Sequence, residues 1–405
     1  MVASAPRAAP DVLGEWLSSL LDEARCRVDT IPLADSAEWR FEDGAIVHRS
    51  RGFFRVIGLQ CRDDDAALFI DQRTVGTLGF LIRDHELLVH AKIEPGNVGL
   101  IQLAPTCQAT ESNALRMHGG AAPPFIDAFP RGAALYDVDQ SEQGTRFLGK
   151  RNRNVLAAAR RYLPLPPTHR WMPADEVLEL TRLDYTVNTD ARSVLVCAPW
   201  YRLVGRVPFS RFRGGFGAEL MVSAHWSSRS LERVKASILA MRAAAPDPVI
   251  VPLHDVSPNG VRVRQIRVSV RGREVPSWDQ PILDSSSEGK VILACGRIDG
   301  VLHFLFRARP EPGLRNKVEL TPTVVVEPGG HAAAGVDGVV VAEVRQSEEG
   351  GRFYRDTNLY QIVDVGEASD AEHWLTLADV RQLLDEPGWL TNEARSALSL
   401  LLPWL

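Results

Sequence analysis

The chain has 405 residues, 45% of them hydrophobic and 24% charged, with a net charge of −5. These values fit a globular protein of two domains and exclude nucleic-acid binding driven by bulk positive charge. No stretch approaches the roughly 18 apolar residues of a membrane helix, and Met1–Pro10 has no apolar signal core, which reads against export. The five cysteines are scattered and never form CxxC, so neither a disulfide framework nor a thiolate zinc site is expected, and a reducing cytoplasm is the natural compartment.

Helical spacing of Leu13, Trp16, Leu17, Leu20 and Leu21 predicts a first helix over Asp11–Cys26. β-rich runs follow at Ala45–Cys61, Thr77–Ile82 and Glu86–Ile93, and an amphipathic helix at Ala174–Arg182. The second half has the same order: a helix over Ser228–Ala244, strands at Val261–Val270, Lys290–Cys295 and Val301–Ala308, and a helix at Leu377–Leu384. The apolar run Ala397–Leu405 is expected to pack against a partner surface.

This shared order has a residue-level counterpart. Ala91-Lys92-Ile93-Glu94-Pro95-Gly96 is echoed by Ala308-Arg309-Pro310-Glu311-Pro312-Gly313, and Gln102-Leu103-Ala104-Pro105-Thr106 by Glu319-Leu320-Thr321-Pro322-Thr323, both displaced by 217 residues (91 to 308, 102 to 319). Gln140–Phe147 matches Gln346–Phe353 at 206, with Asn152 on Asn358, and Ala191-Arg192-Ser193 matches Ala394-Arg395-Ser396 at 203. Asp71-Gln72 resembles Asp279-Gln280 at a discordant 208 and carries little weight. We read a tandem duplication, 1–200 and 201–405, each copy a whole α+β domain with a mixed sheet and packed helices.

Lys92 and Glu94 share a strand face before the Glu94-Pro95-Gly96 turn, and Arg309 and Glu311 keep the same charges. A salt bridge on an exposed face is the plain alternative. His118 lies in a long polar loop beside Arg116, Gly119 and Gly120, a setting commoner at functional sites than in frameworks. Arg146–Asn154 concentrates positive charge suited to phosphate oxygens. Trp171, His169, Trp374 and His373 could stack a base, but core packing is the commoner use. There is no GxGxxG after a strand, no P-loop, no GxSxG and no HExxH, so no nucleotide cofactor or metal is signalled.

Taken together, Ala91–Asn97, Gln102–Asn113, His118-Gly119-Gly120, Gln140–Phe147, Lys150–Asn154 and His48-x-Ser50-x-Gly52-Phe53-Phe54 resemble the signature of NDP-hexose 2,3-dehydratases over nearly the whole chain. Cys107 departs from the pattern, where valine is expected. The resemblance implies two Nudix-like domains in each subunit of a cytoplasmic homodimer, acting in deoxysugar biosynthesis for antibiotic glycosylation without a cofactor. The hydrolytic Nudix box is missing; Glu348-Glu349-Gly350 is only a fragment of it.

The implied substrate is TDP-4-keto-6-deoxyglucose or a similar nucleotide sugar, and a 3-ketoreductase would consume the product. For that chemistry His118 or Glu94 would be the base, since both titrate at positions that could face a sugar. Lys92 would stabilise the enolate or protonate the leaving hydroxyl, and Arg116 would hold the sugar or a phosphate. Arg146, Lys150, Asn152 and Arg153 would hold the diphosphate, with Asn97 and Gln102 lining the pocket. Arg309, Glu311, Glu319, Arg352 and Asn358 would form a second nucleotide pocket, degenerate or regulatory. A nucleotide-sugar isomerase or epimerase using the same enolisation, or a non-catalytic nucleotide-sugar binding protein, are the competing readings.

Overall fold

The computed structural model describes residues 11–61, 65–159, 164–228, 230–257, 260–285, 287–328, 330, 335–369 and 373–405. Met1–Pro10, read above for an export signal, lie outside them. Among the described residues no helix is long and apolar enough to cross a membrane.

The fold is α+β, with several mixed sheets and helices packed on them. Two sheets are seven-stranded. In the first, Val75–Arg83 pairs parallel with Arg151–Ala158 and antiparallel with Glu86–Ile93 and Cys107–Ala109. In the second, Glu288–Ile298 pairs parallel with Thr357–Glu367 and antiparallel with Val301–Pro310 and Val324–Val326. The central strands are buried along most of their length, as expected for strands covered on both faces.

Short strands cross between the sequence halves. Arg27–Thr30 pairs with Arg262–Ser269, and Val249–Val251 pairs with Arg55–Gln60. The Pro-Gly turns are also joined: the Gly96 amide donates to the Gly350 carbonyl and the Gly313 amide to the Gly144 carbonyl, each at 2.8 Å. A Cβ on Gly96 would lie 1.7 Å from the Phe353 carbonyl oxygen, and one on Gly313 1.9 Å from that of Phe147. Glycine is required at both by close approach of another backbone, since neither residue has a positive φ.

One apolar core takes residues from both halves, Leu78, Val89, Leu156 and Val194 beside Leu293, Phe304, Ile362 and Ala397. At its centre helices Thr189–Cys197 and Asn392–Leu398 pack together. The matched arginines Arg192 and Arg395 are fully buried here. Arg192 donates to the Val187 and Thr181 carbonyls at 2.9 and 3.0 Å, and Arg395 to that of Leu390 at 2.6 Å. They satisfy carbonyls that would otherwise be stranded in the core.

Several sequence expectations need correction. Ala397–Leu405, expected to pack against a partner surface, continues from the helix into a 3₁₀ turn and is buried in the chain's own core. Ala45–Cys61 divides into strands Ala45–His48 and Arg55–Gln60. A turn breaks it, with Arg51 at φ +56° and the His48 ring 2.7 Å from the Ser50 hydroxyl. Helix Gly215–His225, hidden by its glycines, was not expected. Asp71 corresponds to Asp284, not Asp279: the amides of Ile70 and Leu283, each one residue earlier, donate to the carbonyls of the matched Arg146 and Arg352.

Candidate active site

Strand Glu86–Ile93 carries Lys92 to its end, and the following turn starts with Glu94. Lys92 Nζ lies 2.9 Å from Glu94 Oε1, with side chains 11% and 5% exposed. The pair is therefore not a salt bridge on an open sheet face. It lines a cavity of about 600 Å³. Gln108 Nε2 donates to Glu94 Oε1 at 3.2 Å. Asn188 donates to Gln108 Oε1 at 2.9 Å while capping helix Thr189–Cys197 through its Oδ1, which accepts from the Ala191 amide at 2.8 Å. A strand end and a helix start are thus tied together through Glu94.

A second ion pair lies on the same wall. Lys150 Nζ donates to Glu349 Oε2 at 2.7 Å, both side chains nearly inaccessible. Burial pushes the Glu349 carboxyl up, but Lys150 and then Arg352 outweigh it and hold the group below the usual carboxylate range. Asn152, also on the wall, donates to Glu142 Oε1 at 2.6 Å. Burial, opposed by Lys150, raises Glu142. Asp190, on the wall at the second position of its helix, is raised well above the usual range by burial and by Glu142, Glu349 and Glu94.

His118 is half-buried and reaches the cavity from the loop after the one-turn helix Glu111–Ala114. Its Nδ1 accepts the Gly120 amide at 2.9 Å, which places the proton of the neutral ring on Nε2. His118 therefore presents a donor through Nε2. The loop is wedged against the second half, since a Cβ on Gly120 would lie 2.3 Å from the Glu274 carbonyl oxygen.

The cavity is also lined by Trp39, Phe53, Phe54 and Trp278, with Arg271, Arg273 and Arg352. The Arg352 guanidinium lies 4.2 Å above the Phe54 ring and donates to Gln72 Oε1 at 3.2 Å. His90 and His169 stack at 4.3 Å. Burial keeps both neutral, His90 well below its ordinary value and His169 down to about 4. Burial pushes the Cys107 thiol up to about 12, which disfavours the thiolate. Chemically, the cavity brings a carboxyl group, two lysines and an imidazole together with aromatic rings and arginines.

The sequence profile of NDP-hexose 2,3-dehydratases matches residues 11–198 and 255–401. Three proteins named dTDP-4-dehydro-6-deoxy-alpha-D-glucopyranose 2,3-dehydratase are similar. That of Saccharopolyspora spinosa is 33% identical, over 95% of this chain and 90% of its own. That of Amycolatopsis orientalis is 32% identical over 95% and 88%, and that of Streptomyces violaceoruber 33% over 91% and 90%. The chain belongs to the NDP-hexose 2,3-dehydratase family.

In this family member the cavity brings together Lys92, Glu94, His118, Lys150, Asn152 and Arg352. The other residues expected to bind or act on substrate lie elsewhere. Arg116 is exposed, outside the cavity lining. Asn97 is buried behind Glu94, its amide 3.5 Å from Glu94 Oε2, and Gln102 donates to the Ser347 hydroxyl at 3.0 Å. Arg146 donates to the Pro328 carbonyl at 3.0 Å beside Glu327. Arg153 is paired with Asp137 and donates to the Phe129 carbonyl at 2.6 Å, so its charge is used inside the fold.

In the second half Arg309 pairs with Glu311 at 3.1 Å. Glu319 accepts from the Ser141 hydroxyl at 2.7 Å, and Asn358 donates to Glu348. None of these four residues lines the cavity. Burial and Glu393 push the Glu311 carboxyl well up.

Sequence reasoning missed Asp190, Glu349, Gln108 and Asn188 as site residues. A signal existed for Asp190: it directly precedes the matched Ala191-Arg192-Ser193, and Glu393 keeps an acid at the equivalent place.

Proposed function

We infer that this protein removes water across C2–C3 of dTDP-4-keto-6-deoxyglucose, the substrate in its relatives' names, to give a 3,4-diketo-2,6-dideoxy sugar nucleotide. The observation that carries the reading is Glu94, buried on a cavity wall between Lys92 and Gln108. The C3 hydrogen is acidic because C4 is a ketone. Glu94 takes it, and once Glu94 is neutral the Lys92 ammonium is released to stabilise the enolate oxygen. His118, whose Nε2 donates, is a second hydrogen-bond donor to that oxygen. The enolate expels the C2 hydroxyl, and the enol left behind tautomerises to the 3-ketone. Arg352 and Arg273 hold the diphosphate, and Trp278 and Phe53 the base.

We read the matching strand schemes of the two large sheets as support for a tandem duplication of Nudix-like domains. A cytoplasmic homodimer, acting ahead of a 3-ketoreductase that removes the reactive diketone, completes the reading.

The test is mass spectrometry after incubation with dTDP-4-keto-6-deoxyglucose, a 3-ketoreductase and NADPH. Protein-dependent loss of the C2 oxygen supports dehydration. Unchanged mass with deuterium entering C3 from heavy water makes the protein an isomerase, and no exchange leaves a binding protein.

A further inference from the structure

Asp190 is the second residue of helix Thr189–Cys197 and only 2% exposed, yet it lies on the wall of the cavity that holds Lys92, Glu94 and Lys150. Its Oδ1 has no hydrogen-bond partner among the described residues. The other carboxylates here are held, Glu94 by Lys92 and Gln108 and Glu349 by Lys150. A carboxyl group set in a cavity wall with one oxygen left without a partner is a place where a ligand can complete the bonding. We propose that Asp190 is a further catalytic residue, the acid that gives a proton to the departing C2 hydroxyl.

Position supports this role, which rests on the dehydratase reading. Asn188, two residues before Asp190, bonds Gln108, and Gln108 bonds Glu94. Base and acid are thus fixed to each other through short hydrogen-bonded links, and both face one cavity. The bonds they must address, C3–H and C2–O, are on adjacent carbons. The helix N-terminus favours a charged carboxylate, but burial and the facing Glu142, Glu349 and Glu94 outweigh it, with Lys150 opposing them. Asp190 thus keeps its proton where an ordinary aspartate loses it.

The step balances. Glu94 takes the C3 proton and the C–H electron pair becomes the enolate. That pair then forms the C2=C3 bond as the C2–O pair leaves with oxygen. The Asp190 proton bonds to that oxygen and water departs. As the enol becomes the 3-ketone, its hydroxyl proton returns to Asp190 and the proton on Glu94 goes to C2.

The experiment compares wild type and Asp190→Asn on dTDP-4-keto-6-deoxyglucose and on its 2-deoxy-2-fluoro counterpart, since fluoride leaves without being protonated. Water loss should fall by about 10²–10⁴-fold in the variant, while deuterium exchange at C3 and fluoride release stay near wild type. Fluoride and water loss falling together, or water loss surviving, would overturn the role. If Asp190→Asn does not fold, wild type is compared at rising pH: the role requires water loss to decline relative to fluoride release, and parallel profiles refute it. Wild type that eliminates neither group and exchanges no hydrogen overturns the dehydratase reading itself, and this role with it.

Discussion

Lys150 and Glu349, 199 residues apart, meet at 2.7 Å on the wall of the cavity. One comes from each half of the chain, and the second half also supplies Arg273, Trp278 and Arg352. The cavity therefore depends on the halves being locked in one arrangement. The reciprocal Gly96–Gly350 and Gly313–Gly144 hydrogen bonds provide that lock.

Lys150→Met should lower stability by about 3–5 kcal/mol, because it leaves a buried carboxylate without its partner. Adding Glu349→Gln should recover part of the loss, since the unpaired charge is then gone. Urea denaturation of the single and double variants measures the coupling. Strictly additive losses would mean that the pair is not a unit.

His118→Ala should reduce kcat by about 10²–10³-fold, the usual effect of losing one donor to a developing oxyanion. Affinity for the nucleotide should change little, since the diphosphate is assigned to Arg273 and Arg352 and not to His118. Steady-state kinetics with the dTDP sugar check this. A raised KM with unchanged kcat would make His118 a binding residue only.

The Lys92–Glu94 pair was legible because residues two apart on a strand share a face and the second half repeats the charges. Lys150 stood out in a basic run, but its neighbour Arg153 misled. Arg153 is neutralised by Asp137 on the adjacent strand, and a cross-strand partner leaves no local pattern. Gly96 was read as a turn residue, and the turn is there, with the Asn97 amide donating to the Glu94 carbonyl at 3.2 Å. The stronger demand on Gly96, the Phe353 carbonyl pressed against it, comes from the other half and is invisible in sequence. Asp190 was passed over because helix Thr189–Cys197 was not read from the sequence, so nothing local marked the acid at its start.

That distinction for Gly96 can be measured. Gly96→Ala and Gly313→Ala should each cost about 3 kcal/mol or more, because the new methyl meets fixed backbone. Gly99→Ala is the control: Gly99 has φ +74° with nothing within 4 Å of a Cβ. It should lose only the roughly 1–2 kcal/mol of a left-handed alanine. Equal losses at Gly96 and Gly99 would refute the close-approach argument.

The buried acids make stability depend on pH, and the sign can be worked out for Glu393. Burial, with Glu327 adding to it, pushes its carboxyl up from 4.5 to about 7. Across that window the folded chain keeps a proton that the unfolded chain releases. The stabilising contribution is therefore complete at low pH and is lost as pH rises through the folded value. Asp356, pushed up to about 6, acts in the same direction. His169, pushed down to about 4, acts in the opposite one, because below its ordinary value of 6.5 only the unfolded chain takes up the proton. The pH curve of the whole protein mixes these contributions, but the difference between Glu393→Gln and wild type isolates one of them. That difference should grow in favour of the variant as pH rises from 4.5 to about 7 and level off above it. Denaturation midpoints at closely spaced pH values measure it. A difference independent of pH would mean that Glu393 ionises in the folded chain as readily as in the unfolded one.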